Sequence, residues 1–555
     1  MRSLTTNKVP FGSGFRVFEF GVLRSKKVSV WLTTAPLPSP SSFFPPWHPR
    51  RFTRIMASPF PLLRAITRTS SVTGTPMKTP HVSLRVSSSR TLSVVTAAAG
   101  SRGEARSTPH NPPRICIVGG GFGGLYTALR LDGLSWPAPT PSSTSQQRTT
   151  SSALSKANIT LVDAGDRFVF KPLMYELLTG EAKRDEVAPL FADLLDGTDV
   201  NFARASVTGV TMEPDDGGIV HLDDETSIPF DYLVVALGNK PRTEMVPGAR
   251  SSCLTFSSLE DVDASIEALD LARAAKATPR VAVVGGGVGG AELAAAIATR
   301  DGNAFDVTLL CRDPTGVMPT SPSQLRDHVS GVLRCLDVTV RAGASVTSVA
   351  GDGEVTLSFG GEADDETYDV VFWCAGQEPA TTPVSSLVDS DNSLPVGGAG
   401  APPLEVNPAL QATAHPRVFA IGDIAQVASD GRGGGGGGFA ESRTAQVAFQ
   451  QSDYVAWNVW ALHYGRPLLP FRYQHLGEML ALGPGEGAVA FPQLPEPLGD
   501  ALGTLLDGWA AGVLRKAAYV YRQPTNGQRL RVLEAWARRP ELWLPPGVSS
   551  GSARL

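Results

Sequence analysis

A short β-branched run, a glycine cluster and an alanine-rich stretch occur twice in this chain, as RICIVGGGFGGLYTALRL from Arg114 and RVAVVGGGVGGAELAAAIA from Arg280. Each copy reads as a buried strand, a tight turn and a helix. Glycines at GxGxxG spacing let the turn close, let a pyrophosphate approach the backbone and let helix and strand pack closely. They are Gly119, Gly121 and Gly124 in the first copy and Gly285, Gly287 and Gly290 in the second. Two such units predict an α/β protein with two Rossmann-type dinucleotide-binding domains.

The strand after each fingerprint should carry the residue that meets the adenosine ribose, about 20 residues on. In the first unit the strand ITLVD ends at Asp163, 39 residues past Gly124. The intervening Ser135 to Lys156 is a 22-residue Ser/Thr/Pro-rich stretch without periodicity, read as a surface insertion; without it the spacing is 17. Asp163 is therefore the candidate ribose ligand. In the second unit, DVTLLCR places Cys311 there, 21 residues after Gly290, followed by Arg312. A neutral residue beside an arginine accepts a 2′-phosphate that a carboxylate would repel, which favours NADPH over NADH.

The runs DYLVVALGNKP (Asp231 to Pro241) and DVVFWCAGQEP (Asp369 to Pro379) each end a strand in a small-residue turn, with Gly238 and Gly376 as candidate cofactor contacts. They suit strands that re-enter each nucleotide domain at its ligand edge. In HPRVFAIGDIA, Asp423 follows another strand end and suits a ribityl hydroxyl. Glu292 lies early in the second glycine helix, where it either complements the positive helix end or points to where nicotinamide meets flavin.

The chain has 555 residues, and its charge is uneven. Residues 1–100 hold 14 Lys+Arg and one acid, Glu19, leaving 35 basic against 52 acidic side chains beyond. The remainder is near −17, which argues against a nucleic-acid partner. The first 100 residues, rich in Arg, Ser, Thr and Pro, read as an organelle transit segment with a second start at Met56 and cleavage near Ala97. A plastid address is favoured, with the mitochondrion as the alternative. Five scattered cysteines (Cys116, Cys253, Cys311, Cys335, Cys374) form no CxxC, so no redox dithiol and no metal site is expected.

No run is apolar enough to span a bilayer. Leu502, Leu505, Leu506, Trp509, Val513, Ala517 and Val520 fall on one helical face, opposite Asp507, Arg515 and Arg522. Leu530, Val532, Leu533 and Trp536 follow among arginines. Both stretches suit helices in a lipid headgroup region, or equally a core-facing or homodimer-forming helix.

The motifs GGGFGG, FVFKPLMYELLTGE (Phe168 to Glu181), GGGVGGAE, VFAIGD, TAQVAFQ (Thr444 to Gln450) and LGEMLALG (Leu476 to Gly483) together resemble the type II NAD(P)H:quinone oxidoreductases. RFVFKPLMYELLTGE, WALHYGRPLLPFRYQHLGEM and RKAAYVYRQPT point to the plastid branch. The resemblance covers roughly Pro113 to Trp536. It implies non-covalent FAD, hydride transfer from NADPH (or NADH) to FAD and then to a plastid prenylquinone or naphthoquinone, no proton pumping, and peripheral attachment to thylakoid or plastoglobule. Lys171 joins the cofactor-binding candidates, and the AQxxxQ motif places Gln446 and Gln450 at the flavin and quinone. Ser442 and Arg443 replace the usual residues before Thr444, beside an unusual glycine run, Gly433 to Gly438.

The expected division is a transit arm over 1–100, an FAD-binding domain over 113–250 with the insertion 135–156, and an NAD(P)H-binding domain over 278–400. A second FAD part with the quinone-site helix spans 401–475, and a membrane-associating region spans 476–555. The alternatives are a sulfide:quinone oxidoreductase-like flavoenzyme, which needs a cysteine pair at the flavin, and a non-catalytic flavin redox sensor.

Overall fold

The computed structural model describes residues 112–137, 156–213, 217–351, 353–361, 364–387, 402–427, 443–491, 505–539 and 542–543. The transit arm, most of the insertion, the glycine run with Ser442, and Leu502 lie outside the described residues.

The duplication in sequence becomes two parallel sheets. In the first, strands Val418–Ala420, Tyr232–Val235, Arg114–Val118, Asn158–Asp163 and Val200–Arg204 lie side by side in that order. In the second the order is Thr339–Ala342, Asp306–Cys311, Arg280–Val284 and Val370–Trp373. Both re-entry strands and the VFAIGD strand take the places expected of them. The central strands are buried on both faces, as a parallel sheet covered on each side requires. At their outer ends Arg114 donates its backbone N–H to Asp231 at 2.7 Å, and Arg280 donates its own to Asp369 at 2.8 Å. The duplication thus extends to an aspartate that starts each re-entry strand.

Each domain also carries a three-stranded antiparallel meander, Val207–Phe230 and Val346–Tyr368. The short strands Asn239–Pro241 and Gln377–Pro379 leave the two domains and pair antiparallel with each other. There Lys240 reaches the buried carboxylate of Glu378 at 3.1 Å. Helix Ala445–His463, capped by the Thr444 hydroxyl, packs on helix Phe122–Asp132 of the first glycine loop.

Two sequence expectations need correction. At the start of the insertion Ser135 and Pro137 are exposed, but Trp136 between them is buried and its indole donates to the Leu131 carbonyl. Trp460 and Tyr464 secure the same turn by donating to the carbonyls of Ser135 and Pro137. The amphipathic reading of the C-terminal stretch inverts: Leu505 and Leu506 form a strand, and helix Gly508–Tyr521 buries Arg515 and Lys516 at 1% exposure. Helical periodicity placed Arg515 on the polar face; a buried carboxylate, Glu176, draws it and Lys516 inward instead. Trp536 is likewise in the core. Strand Leu505–Asp507 completes a small antiparallel sheet with Glu478–Ala481 and Gly487–Ala490, which packs against helix Val288–Thr299. Among the described residues no helix is long and apolar enough to cross a membrane.

Candidate active site

The two glycine clusters build the same cradle. A Cβ at Gly124 would lie 1.8 Å from the Gly119 carbonyl oxygen, and one at Gly290 would lie 1.8 Å from that of Gly285. Here only glycine allows strand and helix to meet. Gly119 and Gly285 adopt φ of +97° and +123°, and a Cβ at either would strike the re-entry strand, at the carbonyls of Ala236 and Cys374. Gly121 and Gly287, the N-caps of their helices, have no atom within 4 Å of a built Cβ. That open space over helix N-termini fits a pyrophosphate in each domain.

Asp163 sits at the edge of the first cradle. Its carboxylate accepts from the N–H of Gly120 at 2.6 Å and of Gly165 at 2.8 Å, which fixes it beside the glycine turn. Burial raises its pKa, and the two backbone donors oppose that rise. In the second cradle Cys311 takes the equivalent place, its sulfur 2.4 Å from where a Gly286 Cβ would be. Arg312 is exposed, and its guanidinium makes no hydrogen bond or ion pair among the described residues. Asp313 beside it turns into its own loop, accepting from the Thr315 amide at 2.8 Å and hydroxyl at 2.6 Å.

Lys171 and Asp423 face each other at the first cradle. Burial lowers the Lys171 pKa and raises that of Asp423, and each charge opposes the other's shift. Lys171 is surrounded by protein yet open to solvent, as a residue lining a crevice is. Asn239 donates to Asp423 at 2.7 Å. The buried Gln451 accepts from the Gly422 N–H at 2.6 Å and so holds the turn that carries Asp423. Gly238 and Gly376, at φ of +71° and +101°, both border open space.

Glu292 is 7% exposed and does not cap its own helix. Its carboxylate accepts from the Ala481 N–H at 2.8 Å and is faced by Tyr175, a residue of the first domain. Burial pushes its pKa up to about 7. The stability tied to the protonated carboxyl is complete below about pH 4.5 and is lost as pH rises through about 7. Glu292→Gln should remove a pH-dependent loss of about 3 kcal/mol across that window. Thermal melts from mildly acidic to mildly alkaline pH would check this; curves falling in parallel for wild type and variant would contradict it.

Gln446 and Gln450 both grip the segment that follows the helix. Gln446 accepts from the Tyr473 hydroxyl at 2.5 Å and the Leu476 N–H at 3.0 Å, and donates to the Gly477 carbonyl at 3.4 Å. Gln450 accepts from the Gln474 N–H at 2.9 Å and donates to its carbonyl at 2.8 Å. Local backbone satisfaction thus describes both side chains, and each amide nitrogen retains a second N–H.

All five cysteines are free thiols. Burial pushes Cys116 and Cys374 up to about 12 and Cys311 to about 11, which keeps them protonated and poorly nucleophilic. No cluster of metal-ligating side chains occurs among the described residues. Sequence reasoning missed Tyr175, Glu176, Gln451, Arg515 and Lys516. All but Gln451 lay in motifs already singled out, but nothing in a linear string marks which distant residue a buried carboxylate will face.

Two dinucleotide cradles in one chain, joined by paired linker strands and a Tyr175–Glu292 contact, define a two-dinucleotide oxidoreductase of the flavoprotein type. Residues 113–452 match the family described as pyridine nucleotide-disulphide oxidoreductase. The chain is 39% identical over 432 residues to the demethylphylloquinone reductase of Synechocystis, covering 77% of this chain and 96% of that protein. It is 35% identical over 458 residues to the alternative NAD(P)H-ubiquinone oxidoreductase C1, chloroplastic/mitochondrial, of Arabidopsis thaliana, covering 78% and 82%. The structure of NDH2 from Plasmodium falciparum in complex with NADH shares the fold, with a TM-score of 0.60 at 16% identity over 78% of this chain and 99% of that one. The chain belongs to the pyridine nucleotide-disulphide oxidoreductase family, in its NAD(P)H:quinone oxidoreductase branch.

Proposed function

We propose that this enzyme oxidises NADPH through a non-covalently bound FAD and reduces a plastid prenylquinone or naphthoquinone. The observation that carries this reading is the pair of open cradles in domains linked through Tyr175 and Glu292. FAD, when bound, supplies the chemistry: it accepts a hydride from nicotinamide and returns two electrons to the quinone.

The chain's own residues position and protonate. The first cradle, with Asp163, Lys171, Gly238 and Asp423, would hold the FAD, and the second, with Gly376, the nicotinamide nucleotide. Glu292, with a proton affinity near neutrality, is suited to hold or release a proton where the two domains meet. The remaining N–H of Gln446 or Gln450 is suited to donate to a quinone oxygen as negative charge develops. The division into FAD parts over 113–250 and 401–475 and a nucleotide part over 278–400 follows from the same reading. The exposed Tyr521, Leu530 and Leu533 support a peripheral lipid contact for the C-terminal region. A plastid address rests on the N-terminal composition and on the chloroplastic/mitochondrial relative of Arabidopsis thaliana. Homodimer formation is a further expectation.

Anaerobic mixing of the purified flavoprotein with NADPH or NADH, then with a short-chain naphthoquinone, tests the reading. Flavin should bleach faster with NADPH and recover on adding quinone; no bleaching by either nucleotide would refute it. Arg312→Ala tests the cofactor preference separately. Loss of one charge-assisted phosphate contact should raise KM for NADPH about ten- to a hundredfold while leaving NADH unchanged. An equal effect on both nucleotides would remove Arg312 from the 2′-phosphate site.

A further inference from the structure

The C-terminal helix joins in a buried charge pair with helix Met174–Leu178, which itself packs on the helix of Glu292. Arg515 and Glu176 are 1% and 2% exposed and hydrogen-bond directly, and Lys516 approaches the same Glu176 oxygen at 3.2 Å. The pair is not satisfied internally: Glu176 Oε2 and the Nε and Nη1 of Arg515 have no hydrogen-bond partner. Leaving buried donors and a carboxylate oxygen unpaired is costly, and an apolar pair would pack here without that cost. A salt bridge so placed calls for a role beyond packing.

Its surroundings supply one. Tyr175, the neighbour of Glu176 in helix Met174–Leu178, stacks on Phe256 at 5.3 Å between ring centroids and faces Glu292. The Tyr175 hydroxyl lies 3.2 Å from where a Gly289 Cβ would be, at the start of the second glycine helix. Three elements therefore face Glu292 with titratable or charged groups or a polar donor. Helix Met174–Leu178 brings Tyr175 and Glu176, helix Gly508–Tyr521 brings Arg515 and Tyr519, and strand Glu478–Ala481 brings the Ala481 N–H. Glu478, on the same strand, is turned to the Ser321 hydroxyl at 2.8 Å.

We propose that Arg515 and Glu176 are positioning residues for the redox reaction: the buried pair holds helix Met174–Leu178, and with it Tyr175, against the second glycine helix that carries Glu292, making the C-terminal helix part of the active site. The proposal rests on the reading that Glu292 handles a proton where the two domains meet. The two charges act on Glu292 with opposite signs. Arg515 favours its ionised form and Glu176 disfavours it. Burial alone would lower the Arg515 pKa and raise that of Glu176; the partner charges outweigh it and keep both ionised.

Opposite signs give a test that a merely structural role would not pass. Infrared difference titration of the holoenzyme, with Glu292→Gln as the reference, follows the Glu292 carboxyl directly and needs no turnover. Wild type should show a carboxyl that titrates near neutral pH and is missing from Glu292→Gln; its absence overturns the proposal at once. Arg515→Gln should move that midpoint upward by about one pH unit or more, Glu176→Gln should move it downward, and Arg515→Lys should restore it. Either Gln variant decides alone should the other fail to fold. Unmoved midpoints, or shifts of the same sign, overturn the proposal. The pH profile of quinone-dependent flavin reoxidation should follow the same order. If the infrared midpoints shift as expected while the profile does not, the charge pair tunes Glu292 and it is the proton-handling reading that fails.

Discussion

Gly124→Val is expected to yield protein without bound flavin. The valine Cβ would have to occupy a point 1.8 Å from the Gly119 carbonyl oxygen, a backbone atom with nowhere to retreat because its turn is already pinned against Ala236. Relief requires the helix to lift from the strand, which costs about 1–3 kcal/mol or more and removes the N-terminal N–H groups from the pyrophosphate. The ratio of flavin to protein absorbance after gel filtration reads the outcome. Gly290→Val meets the same obstacle in the second cradle, 1.8 Å from Gly285, and should keep its flavin while losing reduction by NADPH. Gly133→Ala is the control, since its φ of −74° is ordinary helix and its nearest neighbour would be 3.5 Å away. If Gly290→Val loses flavin and Gly124→Val keeps it, the two cradles have been assigned the wrong way round.

Glu176→Leu should be the most destabilising substitution away from the cradles. It leaves Arg515 and Lys516, each 1% exposed, without their shared counter-charge; Lys516 keeps Glu181 at 3.6 Å, and Arg515 keeps the face of Tyr519 at 5.3 Å and the influence of Glu292. Removing one partner of a buried pair costs about 3–5 kcal/mol, because the remaining charge is stranded in a medium that solvates it poorly. Adding Arg515→Met to that variant should recover much of the loss, since the stranded cation goes with it. Urea unfolding followed by tryptophan fluorescence would report both, as Trp536 packs over the Lys516 ammonium at 5.5 Å. A loss below about 1 kcal/mol for the single variant would mean that the buried cations rearrange to reach water.

Much of this molecule was legible in the string. The two strand–glycine–helix units, the re-entry strands at Asp231 and Asp369, and Asp163 behind its insertion are local patterns, written in neighbouring residues and fixed spacings. So was the neutral Cys311 beside Arg312. Backbone geometry enforces such patterns wherever they occur, because a glycine that must adopt φ of +97° has no substitute. The C-terminal helix was not legible. Its period separates Leu and Trp from Arg, and by itself that pattern places arginine in water. Glu176, 339 residues earlier, reverses the assignment by offering Arg515 a buried carboxylate. Glu292 was likewise visible as an acid near a helix start, but the groups that face it, Tyr175, Arg515 and the Ala481 N–H, come from three segments that meet only on folding. Sequence alone determined the cradles, because they are built from the geometry of adjacent peptides. Only the tertiary structure decided the electrostatics between them, because charges act through space and the chain does not record which distant groups will share a dry interior.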